Sequence, residues 1–307
     1  MMRALVAGWF SFEQCGATAG DLMARDVVGR WLDEAGLAYD IATAPPFVGG
    51  VDWRQASPEA YTHVVFVCGP FGNGPPVAEF LDRFRGRTLL GMNLSMLDAV
   101  ENWNPFNALW ERDSTRDARP DLSLLAPAST VPLIGLIRSH RQKEYGDRAW
   151  HDRLDPLIDR VLRERGGAVI EIDTCLEHNA GGLTTPEQVE AVIQRTDVVL
   201  TTRLHGTVLA IKNGVPAVAL DPIAGGAKIA AQCRSLDWPY CLIADRADAG
   251  QLAAALDACL QPAARQLAVA CRDRAVERLA PLREQFLQSL EQPATARSHA
   301  DETGASP

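Results

Sequence analysis

Asp197-Val198-Val199-Leu200-Thr201-Thr202-Arg203-Leu204-His205-Gly206 is the stretch from which the chain can be laid out. Its first half is a short apolar run rich in β-branched residues, which predicts a buried parallel strand. Residues 207–213 then read as a helix that stops at Gly214, with Pro216 just beyond, the usual order of helix-ending residues. Residues 215–220 form the next strand. Arg203 and His205 therefore stand where a strand ends and a helix begins. In open α/β sheets ligands bind outside the carboxyl ends of the strands. A helix N-terminus there offers free N–H groups and partial positive charge, which suits an anion. An isolated Arg-x-His would be read as an ion pair, for example Arg203 with Asp197, beside a packed histidine. The strand-to-helix position favours an anion site with acid–base capacity instead.

Composition narrows the field. At 307 residues the chain is long enough for one large domain or two of ordinary size. Its apolar fraction of 47% and charged fraction of 22% are those of a soluble globular protein. The net charge of −9 argues against a nucleic-acid backbone as partner, so an anionic substrate needs a local basic pocket. No apolar run approaches the roughly 20 residues of a membrane span. The first residues read as a strand rather than a signal peptide. The seven cysteines are irregularly spaced without a C-x-x-C, which predicts reduced thiols in a cytoplasm rather than disulfides or a zinc site.

Outward from the central stretch the pattern is α/β throughout. Residues 3–7 are a predicted strand, 8–20 a loop of small and aromatic residues, and 21–34 a helix with Asp21 at its N-cap. Residues 38–43, 63–67 and 87–92 are further strands, and Trp103, Phe106 and Trp110 are assigned to the core. Residues 126–132 are proline-rich, small and uncharged, the best linker in the chain. Residues 133–137 restart the alternation and end at Arg138-Ser139-His140-Arg141, a second basic cluster. Residues 149–165 are helical with a kink or restart at Pro156. The loop after the strand at 168–172 carries Cys175 and His178, a thiol and an imidazole without a third orienting group. Thr185, Pro186 and Gln188 form a helix start with capping-box spacing. Asp221-Pro222-Ile223-Ala224-Gly225-Gly226-Ala227-Lys228 is a third cluster at a strand end. Residues 262–290 predict a long helix, kinked or broken before Pro281, and residues 291–307 a disordered tail.

The 197–206 stretch, followed by Ala210 and Gly214-Val215-Pro216, resembles the signature of the polysaccharide pyruvyl transferase family. That resemblance implies an α/β fold of two Rossmann-like domains facing a cleft (GT-B-like), with a long C-terminal helix. The domains would span residues 1–127 on the acceptor side and 128–290 on the donor side. Arg138 matches an arginine the family carries at the end of the same strand, and Lys228 a lysine shortly after the later one. Gly20-Asp21 resembles the end of the family's glycine-rich first loop, with Ala17, Thr18 and Ala19 where an asparagine is usual. Glu111-Arg112-Asp113-Ser114 and Pro120-Asp121-Leu122 resemble mid-chain elements of the family.

The resemblance implies a transferase that moves a pyruvyl group from phosphoenolpyruvate to hydroxyls of a sugar or sugar-like acceptor, as a ketal. His205 and Lys228 would be catalytic. Arg138, Arg203 and Leu204 would hold the donor, and Gly20 and Asp21 the acceptor. No metal or cofactor is called for, because cationic side chains can neutralise the donor. Two other classes fit the residues. One is a GT-B glycosyltransferase using a nucleotide sugar, and the other a non-catalytic protein that binds an anionic metabolite.

Overall fold

A computed structural model describes residues 2–116, 118–139 and 143–291. The chain divides into two compact units between Ser129 and Thr130. Both are parallel α/β sheets, and each is described by itself.

The first unit holds β1 (Arg3–Gly8), β2 (Ala38–Ile41), β3 (His63–Val67), β4 (Pro70–Phe71), β5 (Thr88–Met96) and β6 (Ala108–Glu111). The strands run in the order β2-β1-β3-β5-β6, all parallel, and β4 pairs with the far end of β5. Chain order reverses between β1 and β3. α1 (Ala19–Glu34) begins two residues before the predicted start, because Thr18 and not Asp21 is its N-cap. The Thr18 hydroxyl accepts from the Asp21 amide at 3.4 Å and the Asp21 carboxylate accepts from the Thr18 amide at 2.7 Å. This reciprocal box satisfies two of the helix's free amides. β5 runs four residues past its expected end at Met92, since Asn93 takes a positive φ of 59° and lets the strand continue after an irregularity in register. The core here is aromatic, with Phe12, Phe66, Phe71, Phe80 and Phe84 buried together. Phe106 joins it and Trp103 stacks on Phe71, but Trp110 lies on the edge strand β6 and is 37% exposed.

The second unit holds β7 (Leu133–Ile137), β8 (Ala168–Glu171), β9 (Val198–Thr201), β10 (Ala217–Asp221) and β11 (Cys241–Ile243), in the order β11-β10-β9-β7-β8. Its helices are α3 (His151–Arg165), α4 (Pro186–Ile193), α5 (Leu204–Lys212), α6 (Lys228–Ser235), α7 (Ala249–Cys259) and α8 (Pro262–Glu291), with α2 (Val77–Arg83) lying in the first unit. β9 and β10 are buried along their whole length, as their apolar runs require. The Thr185–Gln188 capping box starts α4 as its spacing predicts. Gly214, at φ 67°, ends α5.

α5 begins at Leu204, three residues before the predicted start, so His205 lies inside its first turn. α3 runs through Pro156 without a break. Pro156 and Asp152, the residue four before it, are both on the exposed face. α8 likewise continues through Pro281, where the helix is solvent-exposed. His140, Arg141 and residues 292–307 of the expected disordered tail lie outside the described residues, whereas Glu291 ends α8. All seven cysteines are free thiols. Among the described residues no helix is long and apolar enough to cross a membrane, and no acidic, histidine or cysteine cluster could hold a metal ion.

Candidate functional site

In the second unit chain order reverses between β7 and β9, so their carboxyl ends form a topological switch point. The two ends are stitched together. The Thr202 amide donates to the Ile137 carbonyl at 3.0 Å, and the Ser139 amide to the Thr202 hydroxyl at 2.8 Å. The Ser139 hydroxyl donates to the Thr202 carbonyl at 2.8 Å and lies 3.0 Å from His151 Nε2. Thr201 ties down the next residue, its hydroxyl accepting from the Arg203 amide at 3.0 Å. Gly206 is required here, because a Cβ would sit 2.2 Å from the Thr201 hydroxyl. Thr201, Thr202 and Gly206 thus help to bring the first turn of α5 against the end of β7.

Arg203 is the N-cap residue of α5 and has no acceptor to offer as a cap. The amides of Leu204, His205 and Gly206 have no partner within the helix. The neighbouring α6 is treated differently. Asp221, 1% exposed, accepts from the amides of Ile223 at 3.1 Å, Ala227 at 2.7 Å and Ala230 at 2.9 Å. That buried carboxylate holds the N-cap and third amides of α6 and opposes its dipole. The start of α5 has no such carboxylate, and it lines the same cavity as the start of α6.

Between them lies a cavity of about 430 Å³. Ser139, His151 and Thr202 line one part, Arg203, Leu204 and His205 another, and Asp221, Pro222, Ile223, Lys228 and Ile229 the third. Its size is within the range of small-molecule sites. His205 is exposed to the cavity from the second position of α5, and Lys228 from the first position of α6. The Lys228 ammonium lies 5.9 Å from the centroid of the Tyr145 ring.

The structure therefore brings together Arg203, Leu204, His205 and Lys228, but not Arg138. The Arg138 guanidinium turns toward α3 and pairs with Asp159 and, at 3.6 Å, with Asp155. It lines a separate cavity of about 300 Å³ with Asp173 and Gly181. Burial pushes the Asp155 carboxyl up, against the pull of Arg138 and His151. Arg203 is not paired with Asp197, whose carboxylate accepts from the Leu133 amide at 2.8 Å. Its guanidinium instead reaches Thr174 at 3.2 Å and Asp173 at 3.5 Å. The loop carrying Cys175 and His178 is organised by Asn179, whose amide donates to the carbonyls of Asp173 and Cys175, each at 2.8 Å.

Gly20 and Asp21 are in the first unit, near its own switch point between β1 and β3. A cavity of about 450 Å³ there is lined by Trp9, Thr18, Asp21, Gly69, Pro70 and Arg112, among others. Asp21 faces it, although its carboxylate is engaged in the α1 cap. Gly20 is half-buried, and a Cβ there would meet only the Thr18 hydroxyl at 3.6 Å, so no steric need for glycine exists. Gly69 is the constrained glycine, with φ 83° and a Cβ position 2.1 Å from the Trp9 ring. Arg112 bonds Asp121 at 3.0 Å and the Ser95 hydroxyl at 2.8 Å. Burial raises the Asp121 carboxyl, but hydrogen bonds from Ser123, Asn93 and Arg112 outweigh it and hold the group well below the ordinary carboxylate range.

Sequence reasoning missed Ser139, His151 and Asp221 as site residues. Ser139 and Asp221 stood inside the clusters at strand ends, but only the fold shows the groups they bond.

A profile described as polysaccharide pyruvyl transferase matches residues 121–222. The matched third of the chain contains the β7–β9 switch point with Arg138, Ser139, His151, Arg203, Leu204, His205 and Asp221, and ends before Lys228. The match supports the resemblance drawn from the sequence, and the family is one of transferases. The sequence matches no curated protein. Solved structures similar to the chain include the spinosyn forosaminyltransferase SpnP, at 15% identity and TM-score 0.33 over 94% of this chain and 99% of that one. The glycosyltransferase SnogD from Streptomyces nogalater is 17% identical, with TM-score 0.31 over 90% and 95%. The UDP-GlcNAc 2-epimerase from Methanocaldococcus jannaschii is 11% identical, with TM-score 0.32 over 86% and 94%. Likenesses this low carry no argument about the chemistry of this chain.

Proposed function

We propose that this protein transfers a pyruvyl group from phosphoenolpyruvate to two hydroxyls of a sugar or sugar-like acceptor, as a ketal, in building cell-surface polysaccharide or a related metabolite. The observation that carries the reading is the open N-terminus of α5, with Arg203, His205 and Lys228 around one cavity. Phosphoenolpyruvate bears a carboxylate and a phosphate on a three-carbon skeleton. One anionic group fits the free amides of Leu204, His205 and Gly206. Arg203 suits a bidentate contact, and Lys228 a point charge on the phosphate.

His205 is the proton carrier in this reading. Its imidazolium protonates the methylene carbon and cationic character develops at the carbon bearing the phosphate. An acceptor hydroxyl attacks that carbon and gives up its proton. The carbon–oxygen bond to phosphate breaks, and Lys228 balances the charge of the leaving group. The second hydroxyl then closes the ketal and loses its proton. The sum is donor plus diol giving ketal plus phosphate. Such a donor and the seven free thiols fit a cytoplasmic site of action.

Calorimetric titration of phosphoenolpyruvate tests this directly. Wild type is expected to bind, and Arg203→Ala to lose about 1.5–3 kcal/mol, the size of a charged hydrogen bond. Binding of uridine or guanosine diphosphate sugars, with none of phosphoenolpyruvate, would replace the reading with a glycosyltransferase.

A further inference from the structure

Both arginines that the family resemblance assigns to the donor hold carboxylates of this chain, although only Arg203 lines the cavity at the start of α5. Arg138 leaves the end of β7 and turns to Asp155 and Asp159, one helical turn apart on α3. Arg203 leaves the start of α5 and turns to Asp173 in the loop after β8. We propose that Asp155, Asp159 and Asp173 are positioning residues that occupy these two guanidinium groups at rest, and that the donor binds by taking the arginines from them. This rests on the donor reading above.

The geometry suits an exchange. The Arg138–Asp155 and Arg203–Asp173 separations, 3.6 and 3.5 Å, exceed the usual length of a charged hydrogen bond. The arginine side chains are 28% and 20% exposed and the three acids between 19% and 44%, so water screens each pair. The long pairs with Asp155 and Asp173 hold a rotamer but cost little to open, and the close hydrogen bond from Arg138 to Asp159 is the main hold on that guanidinium. Arg138 is also incompletely satisfied at rest, because its Nε is buried and has no acceptor among the described residues. Once the side chain swings out, a carboxylate or phosphate that engages the Nε edge in two-point fashion gives the guanidinium more than the aspartates do. After transfer, the aspartates compete with the product phosphate for the same groups and favour its departure.

The arrangement predicts tighter donor binding when the competing charges are removed. In Asp155→Asn/Asp159→Asn, phosphoenolpyruvate titrated calorimetrically at low salt should bind about three- to tenfold more tightly than in wild type. The gain should vanish when Arg138→Ala is added, which a merely structural role of the acids would not produce. Asp173→Asn paired with Arg203→Ala is the parallel cycle on the other arginine, and remains informative if the α3 variant folds poorly. Wild type and acid variants binding equally well, or a gain that survives loss of the arginine, would overturn the exchange alone. No binding by any of them would overturn the donor reading and the exchange with it.

Discussion

Asp221→Ala is expected to be the most damaging single substitution around the cavity, costing about 3–5 kcal/mol of stability, because it strips buried amides of a charged acceptor. The carboxylate accepts from Ile223, Ala227 and Ala230, and is 1% exposed, so water cannot take its place. Two of those amides belong to the start of α6, the helix whose first residue is Lys228. The segment from Pro222 to Ala227 is also held by a turn bond from the Gly226 amide to the Ile223 carbonyl and by bonds to Arg148 and Trp150, and both Gly225 and Gly226 have positive φ. Urea unfolding of the variant checks the stability loss. Asp221→Asn keeps one acceptor oxygen and should lose less. A variant as stable as wild type would mean that the loop is held by something other than this carboxylate. The same residue links fold to function, because its bonds to Ala227 and Ala230 hold the start of α6, and with it Lys228, at the cavity.

His205→Ala is expected to leave donor binding within a few fold of wild type and to slow phosphate release about 10²- to 10⁴-fold, the usual share of general acid–base catalysis. The two effects separate because the anion is gripped by Arg203, Lys228 and the backbone amides, whereas the imidazole moves protons. His205 sits one residue past the start of α5, so its backbone amide survives the substitution and only the ring is lost. Phosphate release from saturating phosphoenolpyruvate, assayed against a panel of sugar acceptors, is the readout. Activity within tenfold of wild type would remove His205 as proton carrier.

The residues of the central stretch were legible because their partners are close in sequence or in the adjoining strand. Thr201 bonds the Arg203 backbone, and Gly206 faces Thr201, so a strand end, a tight turn and a helix start follow from local chemistry. The Thr185–Gln188 box is legible for the same reason. Arg138 was not, because its direction depends on the rotation of α3, which brings Asp155 and Asp159 to the end of β7 from residues 17 and 21 positions further on. Asp221 reads as an ordinary acid at a strand end until the chain is seen to turn back onto it. His151 carries no motif, and its contact with Ser139 arises only when α3 packs beside the switch point. The prolines misled in the opposite sense. Pro156 predicts a kink or restart and Pro281 a kink or break, yet each helix continues through its proline, which lies on an exposed face.

The central claim is that the donor anion sits on the open N-terminus of α5. The most direct measurement is a titration of phosphoenolpyruvate into isotopically labelled protein, following the backbone amide resonances of Leu204, His205 and Gly206. A hydrogen bond from each amide to an anionic oxygen predicts saturable downfield shifts in these three, with one common dissociation constant. The amides of Ala227 and Ala230, already bonded to Asp221, should move little. Saturable shifts elsewhere with these three unmoved, or no shifts at millimolar ligand, would contradict the account.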